Sequence, residues 1–266
     1  MNRIFSKPLI FSEGKNPPKN EDSVGSNETT LVLSDGATDV TGQKFDGKTG
    51  GEITSKLVVE TCLSSDLNGV ELVSEITRRL GELYEQINPR AIDDSKYRFA
   101  SSLICVRIVG DELLITQVGD SLLRINCSDV YENNKLIDHL TANARKEYIA
   151  VTQDVAGSRD FILPLLQAQH TYQNNSDYAL SYGVIDGTPI PEQFIKTYTI
   201  PTDDTSTVEL VSDGYYGEFP DVAEIDAYEE LYRHIEAVDP DKCDKFPAVK
   251  TSDDRTVMIS KIESLK

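Results

Sequence analysis

The hydrophobic and polar positions of this chain predict strands, then helices, then strands again. Phe5 to Phe11 reads as a first strand, and Gly14 to Lys19 (Gly-Lys-Asn-Pro-Pro-Lys) as a loop. Asn20 to Val24 enters a second strand, Asn27-Glu28 is a turn, and Thr30 to Ser34 is β-branched and apolar enough for a central strand. Ala37 to Gly50 is a polar, glycine-rich loop. Helical spacing begins at Gly51 and runs to Leu63, with Ile53, Leu57, Val58 and Cys62 on one face. It returns from Val70 to Ile87 with a fuller stripe of Leu72, Val73, Ile76, Leu80, Leu83 and Ile87. These two helices are expected to cover one face of a sheet.

Phe99 to Val109, Leu113 to Val118 and Leu122 to Asn126 read as strands separated by Gly110-Asp111 and Gly119-Asp120, which predicts a three-stranded antiparallel meander. Residues 129 to 175 are less regular, with helices expected near Ala142 to Ile149 and Arg159 to Tyr172 and an interruption of the second at Pro164. Phe194 to Ile200, Thr207 to Ser212 and Arg255 to Ile262 read as strands. Val222 to Val238 reads as a helix with Ile225, Tyr228, Leu231, Tyr232 and Ile235 on its apolar face. Tight turns between consecutive strands, with helices segregated from them, favour an α+β fold over a doubly wound parallel sheet. No linker divides the 266 residues, so a single domain is expected.

Composition narrows the function. A net charge of −19 argues against a nucleic-acid surface, because phosphate backbones attract lysine and arginine. No apolar run has the length of a membrane span, and Lys7-Pro8 breaks the N-terminal stretch, so neither a membrane anchor nor a signal peptide is expected. Cys62, Cys105, Cys127 and Cys243 lack metal-type spacing, which suits a reduced, cytoplasmic monomer. His139, His170 and His234 are not at zinc spacing and are expected at the surface.

The acids matter by position. Leu31-Val-Leu-Ser-Asp35-Gly36 and Leu210-Val-Ser-Asp213-Gly214 are apolar runs that end in Asp-Gly; Asn20-Glu21-Asp22 and Ser252-Asp253-Asp254 precede apolar runs. Each Asp-Gly alone is more often a turn than a ligand, as expected for Asp46-Gly47 and Asp186-Gly187. Four acidic strand ends brought together, however, would repel one another unless a cation lay between them, and Mg²⁺ or Mn²⁺ prefers such oxygen ligands. A glycine after the acid would let the backbone turn sharply.

These residues resemble a family. Asn20-Glu21-Asp22-Ser23, Val32-Leu-Ser-Asp35-Gly36, Gly50-Gly51, Val118-Gly119-Asp120-Ser121, Val211-Ser-Asp213-Gly214 and Asp253-Asp-Arg-Thr256-Val257 occur in the order found in metal-dependent type 2C protein serine/threonine phosphatases, over about residues 5 to 262. The resemblance implies a four-layer α-β-β-α sandwich with a metal centre at one end. It implies Asp35 as the ligand bridging two ions, Asp213 and Asp253 on the first, Glu21 and the Gly36 carbonyl on the second, and Asp22 holding a metal-bound water. Asp120 would join a third ion, or serve only as a turn. Asp22 and Asp35 are thus the expected catalytic residues, Mn²⁺ or Mg²⁺ the cofactor, and a phosphorylated protein the substrate. Two ions sharing a water would supply hydroxide for in-line attack on phosphorus. The stretch 129–175 stands where the family varies and is expected to form a substrate-recognition flap.

Four departures accompany the resemblance, one being Ala37 where the family often has a histidine after the first Asp-Gly. The phosphate-gripping arginine of the family is Pro17 here; Lys15 or Lys19 could substitute with less fixed geometry than a bidentate arginine, and the reading preferred is that both are solvated loop lysines. The usual Asp-Asn reads Asp253-Asp254, and the usual Gly-Thr before the middle strand reads Ala100-Ser101. The missing arginine leaves a second possibility, a catalytically weak regulatory module that binds a phosphorylated partner. Tyr215 and Tyr216 are assigned to core packing.

Overall fold

Alternate side chains of a strand face opposite sides of its sheet, and in this protein both sides are covered. The computed structural model describes residues 3–37, 41–133 and 135–265. The chain runs through β1 (Arg3–Phe5), β2 (Leu9–Glu13), β3 (Ser23–Ser26), β4 (Thr30–Ser34), α1 (Gly50–Leu63), α2 (Gly69–Ile87), α3 (Arg90–Asp93), β5 (Leu103–Val109), β6 (Glu112–Val118), β7 (Leu122–Ile125) and β8 (Asp129–Tyr131). It continues through α4 (Leu136–Thr152), α5 (Ser158–Ala168), β9 (Lys196–Pro201), β10 (Thr207–Val211), α6 (Ile225–Val238) and β11 (Arg255–Ser264). One antiparallel sheet has the order β3-β4-β5-β6-β9; the other has β1-β11-β10-β7-β8, with β2 also on β11.

The alternation sorts the core into three layers. Leu31, Leu33, Ile104, Val106 and Ile115 of the first sheet meet Leu123, Ile125, Val208, Leu210 and Met258 of the second. Val32, Leu103, Cys105 and Val118 face the other way, onto Val58, Cys62, Leu72, Ile76 and Leu80 of α1 and α2. On the far side, Leu122, Val211, Val257 and Ile259 pack against Tyr228 and Tyr232 of α6 and against Tyr215. The result is the α-β-β-α order. Within the second sheet, Arg124 forks onto the carboxylate of the fully buried Glu209 at 2.9 and 2.6 Å, and Tyr228 donates to the same group at 2.7 Å. No helix among the described residues is long and apolar enough to cross a membrane.

Four sequence expectations change. Phe5 to Phe11 is two strands, β1 and β2, which pair with successive parts of β11; Pro8 between them has no N–H to give a ladder. The strand expected from Phe99 begins only at Leu103, and Ser101 bridges Gly36 and Ile185 outside the sheet. The meander stops after two strands: β5 and β6 form a hairpin, but β7 leaves for the other sheet and pairs with β10. Gly119-Asp120-Ser121 is therefore the crossover between sheets. Finally, α5 continues through Pro164 to Ala168 on an exposed stretch, where water can serve the carbonyl that loses its donor.

Candidate metal centre

Antiparallel register gathers the acidic strand ends. Ser23 of β3 pairs with Ser34 of β4, Leu103 with Val118, Val211 with Val257 and Val211 with Leu122. The start of β3, the end of β4, the β6–β7 crossover, the end of β10 and the start of β11 thus lie at one end of the sandwich. They carry Asp22, Asp35, Asp120, Asp213 and Asp253, in that order.

Serines fix the two Asp-Gly ends. The Asp35 N–H donates to the Ser102 hydroxyl at 3.1 Å, the Asp35 carbonyl accepts from the Ser102 N–H at 2.8 Å, and the hydroxyls of Ser102 and Ser121 lie 2.6 Å apart. At the second end, the Thr256 N–H donates to the Ser212 hydroxyl at 2.8 Å. The glycines serve close approach rather than a turn. Neither Gly36 nor Gly214 has a positive φ, but a Cβ on Gly36 would collide with the carbonyl of Glu21, and one on Gly214 with the carbonyl of Asp254. The positive φ angles belong to the other Asp-Gly pairs, at Gly47 (82°) and Gly187 (83°). Asp186 does more than turn, since its buried carboxylate accepts from Asn174 at 2.8 Å and from the Thr188 N–H at 2.9 Å.

The carboxylates are crowded and short of partners. Both oxygens of buried Asp22 and Oδ1 of Asp213 have no hydrogen-bond partner among the described residues. Burial raises Asp22 to about 7, against the opposing pull of the nearby Thr256 and Ser212 hydroxyls and with the charges of Asp213 and Asp253 adding to it. Burial, then Asp22, Asp253 and Asp120, push Asp35 well above the ordinary aspartate range; burial, then Asp35 and Asp253, do the same to Asp213. Desolvated like charges are the arrangement a bound cation relieves.

Two lysines stand among these acids. The Lys15 ammonium lies 3.0 Å from Glu21, 3.2 Å from Asp254 and 3.5 Å from Asp253. Lys250 pairs with Asp253 from the other side. Both ammoniums are held above the ordinary lysine range: burial lowers them, but Asp253 with Glu21 and Asp254 outweighs it at Lys15, and Asp253 with Asp213 at Lys250. No group of three or more acidic, histidine or cysteine side chains among the described residues is arranged to hold an ion by itself. Six carboxylates (Glu21, Asp22, Asp35, Asp213, Asp253, Asp254) against two ammoniums nevertheless leave an excess of four negative charges when all are ionised. The unpartnered oxygens lie on Asp22 and Asp213, neither of which pairs with Lys15 among the described residues.

Solved structures share this architecture over nearly their whole length. The serine/threonine phosphatase Stp1 from Staphylococcus aureus superposes with a TM-score of 0.54 at 17% identity, covering 97% of this chain and 95% of that one. The serine/threonine phosphatase PstP/Ppp from Mycobacterium tuberculosis gives 0.53 at 15%, covering 98% and 100%. The chain has the type 2C phosphatase fold. A catalytic domain of PstP in complex with two manganese ions also matches, at 14% identity and a TM-score of 0.53, covering 99% of this chain and 100% of that one. No family model and no curated protein sequence matches.

Within this phosphatase fold, Asp22, Asp35, Asp213 and Asp253 come together as the sequence suggested. Asp120 faces the same cleft but is 3.6 Å from the Lys135 ammonium. Glu21 adjoins the group and is already engaged, by Lys15 and by the Thr49 hydroxyl at 2.7 Å. Thr49 also caps α1 in a reciprocal pairing with Glu52, so the helix start and Glu21 are tied together. Lys15 is therefore not a solvated loop lysine, whereas Lys19 is exposed. His139 and His234 are exposed and His170 is half-buried. Tyr215 is core, but Tyr216 lines the cleft. The part of the Ala37 to Gly50 loop at 38–40 lies outside the described residues.

The cleft has a basic rim that sequence reasoning missed. A hollow of about 480 Å³ is lined by Asp120, Asp213 and Asp253 and by Lys135, Lys245 and Lys250; Arg159 and Asp35 line an adjoining pocket. Lys245 and Lys250 lie on the segment after α6, which α4 and α5 hold in place. Buried Arg145 donates to the carbonyls of Asp241, Lys242 and Ala248 at 2.9, 3.0 and 3.1 Å, and Arg159 donates to Val249 at 2.6 Å. Asp239 accepts the N–H groups of Cys243, Asp244 and Phe246. The two arginines reach partners 90 to 103 positions away, and no local pattern signals them.

Proposed function

We propose that this protein is a Mn²⁺- or Mg²⁺-dependent phosphatase acting on phosphoserine or phosphothreonine in proteins, built as one domain over residues 1–266. The observation that supports it most is the mutually repelling trio of buried Asp22 and half-buried Asp35 and Asp213 at the end of a type 2C sandwich. Their donor chemistry fits a hard divalent cation, with Asp253 and the Gly36 carbonyl beside them. A cation held there would make bound water more acidic and neutralise charge on phosphoryl oxygens. Asp35 and Asp213 would hold it, and Asp22, close to both charges, would orient the attacking water as an acceptor. Arg159, Lys245 and Lys250 would take the phosphate charge that the family's arginine otherwise takes, the chain having Pro17 in its place. The exposed approach over 129–175 would receive the peptide.

Hydrolysis of a phosphoserine peptide with and without added Mn²⁺ tests this. Mn²⁺-dependent phosphate release, falling by at least about a hundredfold in Asp35→Asn, is expected. Release no greater than that of Asp35→Asn would end the reading. The insertion of Lys15 and Lys250 among the acids supports the second reading, a weakly catalytic module that binds a phosphorylated partner. Phosphopeptide binding without turnover would favour it.

A further inference from the structure

We propose that Lys15 is a resident cation: its ammonium takes the Glu21–Asp254 half of the acidic centre, so that the Asp22–Asp35–Asp213 half alone takes a divalent ion. The proposal rests on the metal-dependent reading above and fixes how many ions that site holds.

The two halves differ in their partners. Glu21 gives one oxygen to Lys15 at 3.0 Å and the other to the Thr49 hydroxyl at 2.7 Å. Asp254 takes the Lys15 ammonium at 3.2 Å, the Lys15 N–H at 2.7 Å and the Glu21 N–H at 3.1 Å. Both carboxylates are thus hydrogen-bonded without a metal, and one ammonium, shared with Asp253 at 3.5 Å, offsets part of their charge. By contrast, Asp22 has two buried oxygens and Asp213 one with no partner among the described residues. Asp22 is only 8% exposed. The need for a cation is therefore concentrated on that side.

Lys15 is also held in place. Its own N–H is bonded to Asp254, Asn16 and Lys19 bridge within the same loop, and a Cβ at the preceding Gly14 would collide with the carbonyl of Lys19. Backbone and ammonium thus grip one carboxylate together. An ion on Glu21 would need oxygen contacts near 2.1 Å beside this ammonium, and like charges at that range repel strongly. An asparagine at 254 would carry no charge for the lysine, so Lys15 and Asp254 act as a pair.

The test counts bound Mn²⁺ by equilibrium dialysis in about 0.3 M KCl, which screens the acidic surface. Sites are scored as those lost in Asp35→Asn. The expected values are one for the full chain, one for Lys15→Arg, which keeps the charge, and two for Lys15→Met. Thermal melting checks that each variant is folded, and Lys15→Met should gain the larger rise in melting temperature on adding Mn²⁺. Two ions in the unaltered protein would overturn the proposal while leaving a metal-dependent phosphatase intact. A single ion in folded Lys15→Met would also overturn it. No ion in the unaltered protein would overturn the metal-dependent reading itself, and the proposal with it.

Discussion

Asp22→Asn removes one charge from the centre and keeps the shape. In the folded protein Asp22 holds its proton up to about pH 7, against 3.8 for an ordinary aspartate. Each pH unit between these values costs about 1.4 kcal/mol, so an ionised Asp22 destabilises the metal-free fold by about 4 kcal/mol. Between about pH 4 and 7 Asp22 holds more proton in the folded chain than in the unfolded one, so its contribution to stability falls as pH rises through that window and levels off above it. The Asp22→Asn protein lacks this contribution and keeps only the slope that Asp35 and Asp213 impose. Urea unfolding in excess chelator should therefore give equal stability for the two proteins near pH 4. It should give an advantage of up to about 4 kcal/mol for Asp22→Asn at pH 8. Saturating Mn²⁺ should remove or reverse that advantage, because the cation relieves the same repulsion. An offset that is the same at pH 4 and pH 8, or an Asp22→Asn protein less stable than the original at pH 8 without metal, would refute the electrostatic reasoning.

Two further substitutions probe what holds the site. Gly214→Ala should destabilise the fold by roughly 1–3 kcal/mol, since its Cβ meets the Asp254 backbone with no flexible side chain to move aside; denaturant melts would measure this. Arg145→Met should cost roughly 3–5 kcal/mol, because three carbonyls lose a buried donor, and limited proteolysis should then cut within 239–250 sooner than in the original protein.

Much of the fold was legible because the patterns were strong. Thr30 to Ser34 is buried throughout as a central strand, and the apolar stripe of α2 became core over Leu72, Val73, Ile76 and Leu80. The order of acidic strand ends was enough to identify the type 2C fold from sequence, and register alone explains why they meet. What misled was local turn chemistry. Gly119-Asp120 resembles a hairpin turn, but whether the next strand pairs back or crosses to the other sheet depends on β10, about 90 residues away. Asp35-Gly36 looks the same in sequence as Asp46-Gly47, and only packing shows that Gly36 is needed for space and Gly47 for its φ.

The role of Lys15 was the harder miss. A lysine in a Pro-Pro loop reads as solvated until Asp254 is placed beside it. The one available signal was the extra acid at 254, where the family pattern has a neutral amide. The basic rim left no signal, because Arg145 of α4 and Arg159 of α5 hold the segment after α6 that carries Lys245 and Lys250.

The central claim is that the acids around Asp35 hold a divalent cation, and crystals grown with Mn²⁺ address it most directly through anomalous scattering at the manganese edge. A peak within coordination distance of both Asp35 and Asp213 is the predicted result. Crystals with full Mn²⁺ in the mother liquor and no peak between those two carboxylates would contradict it.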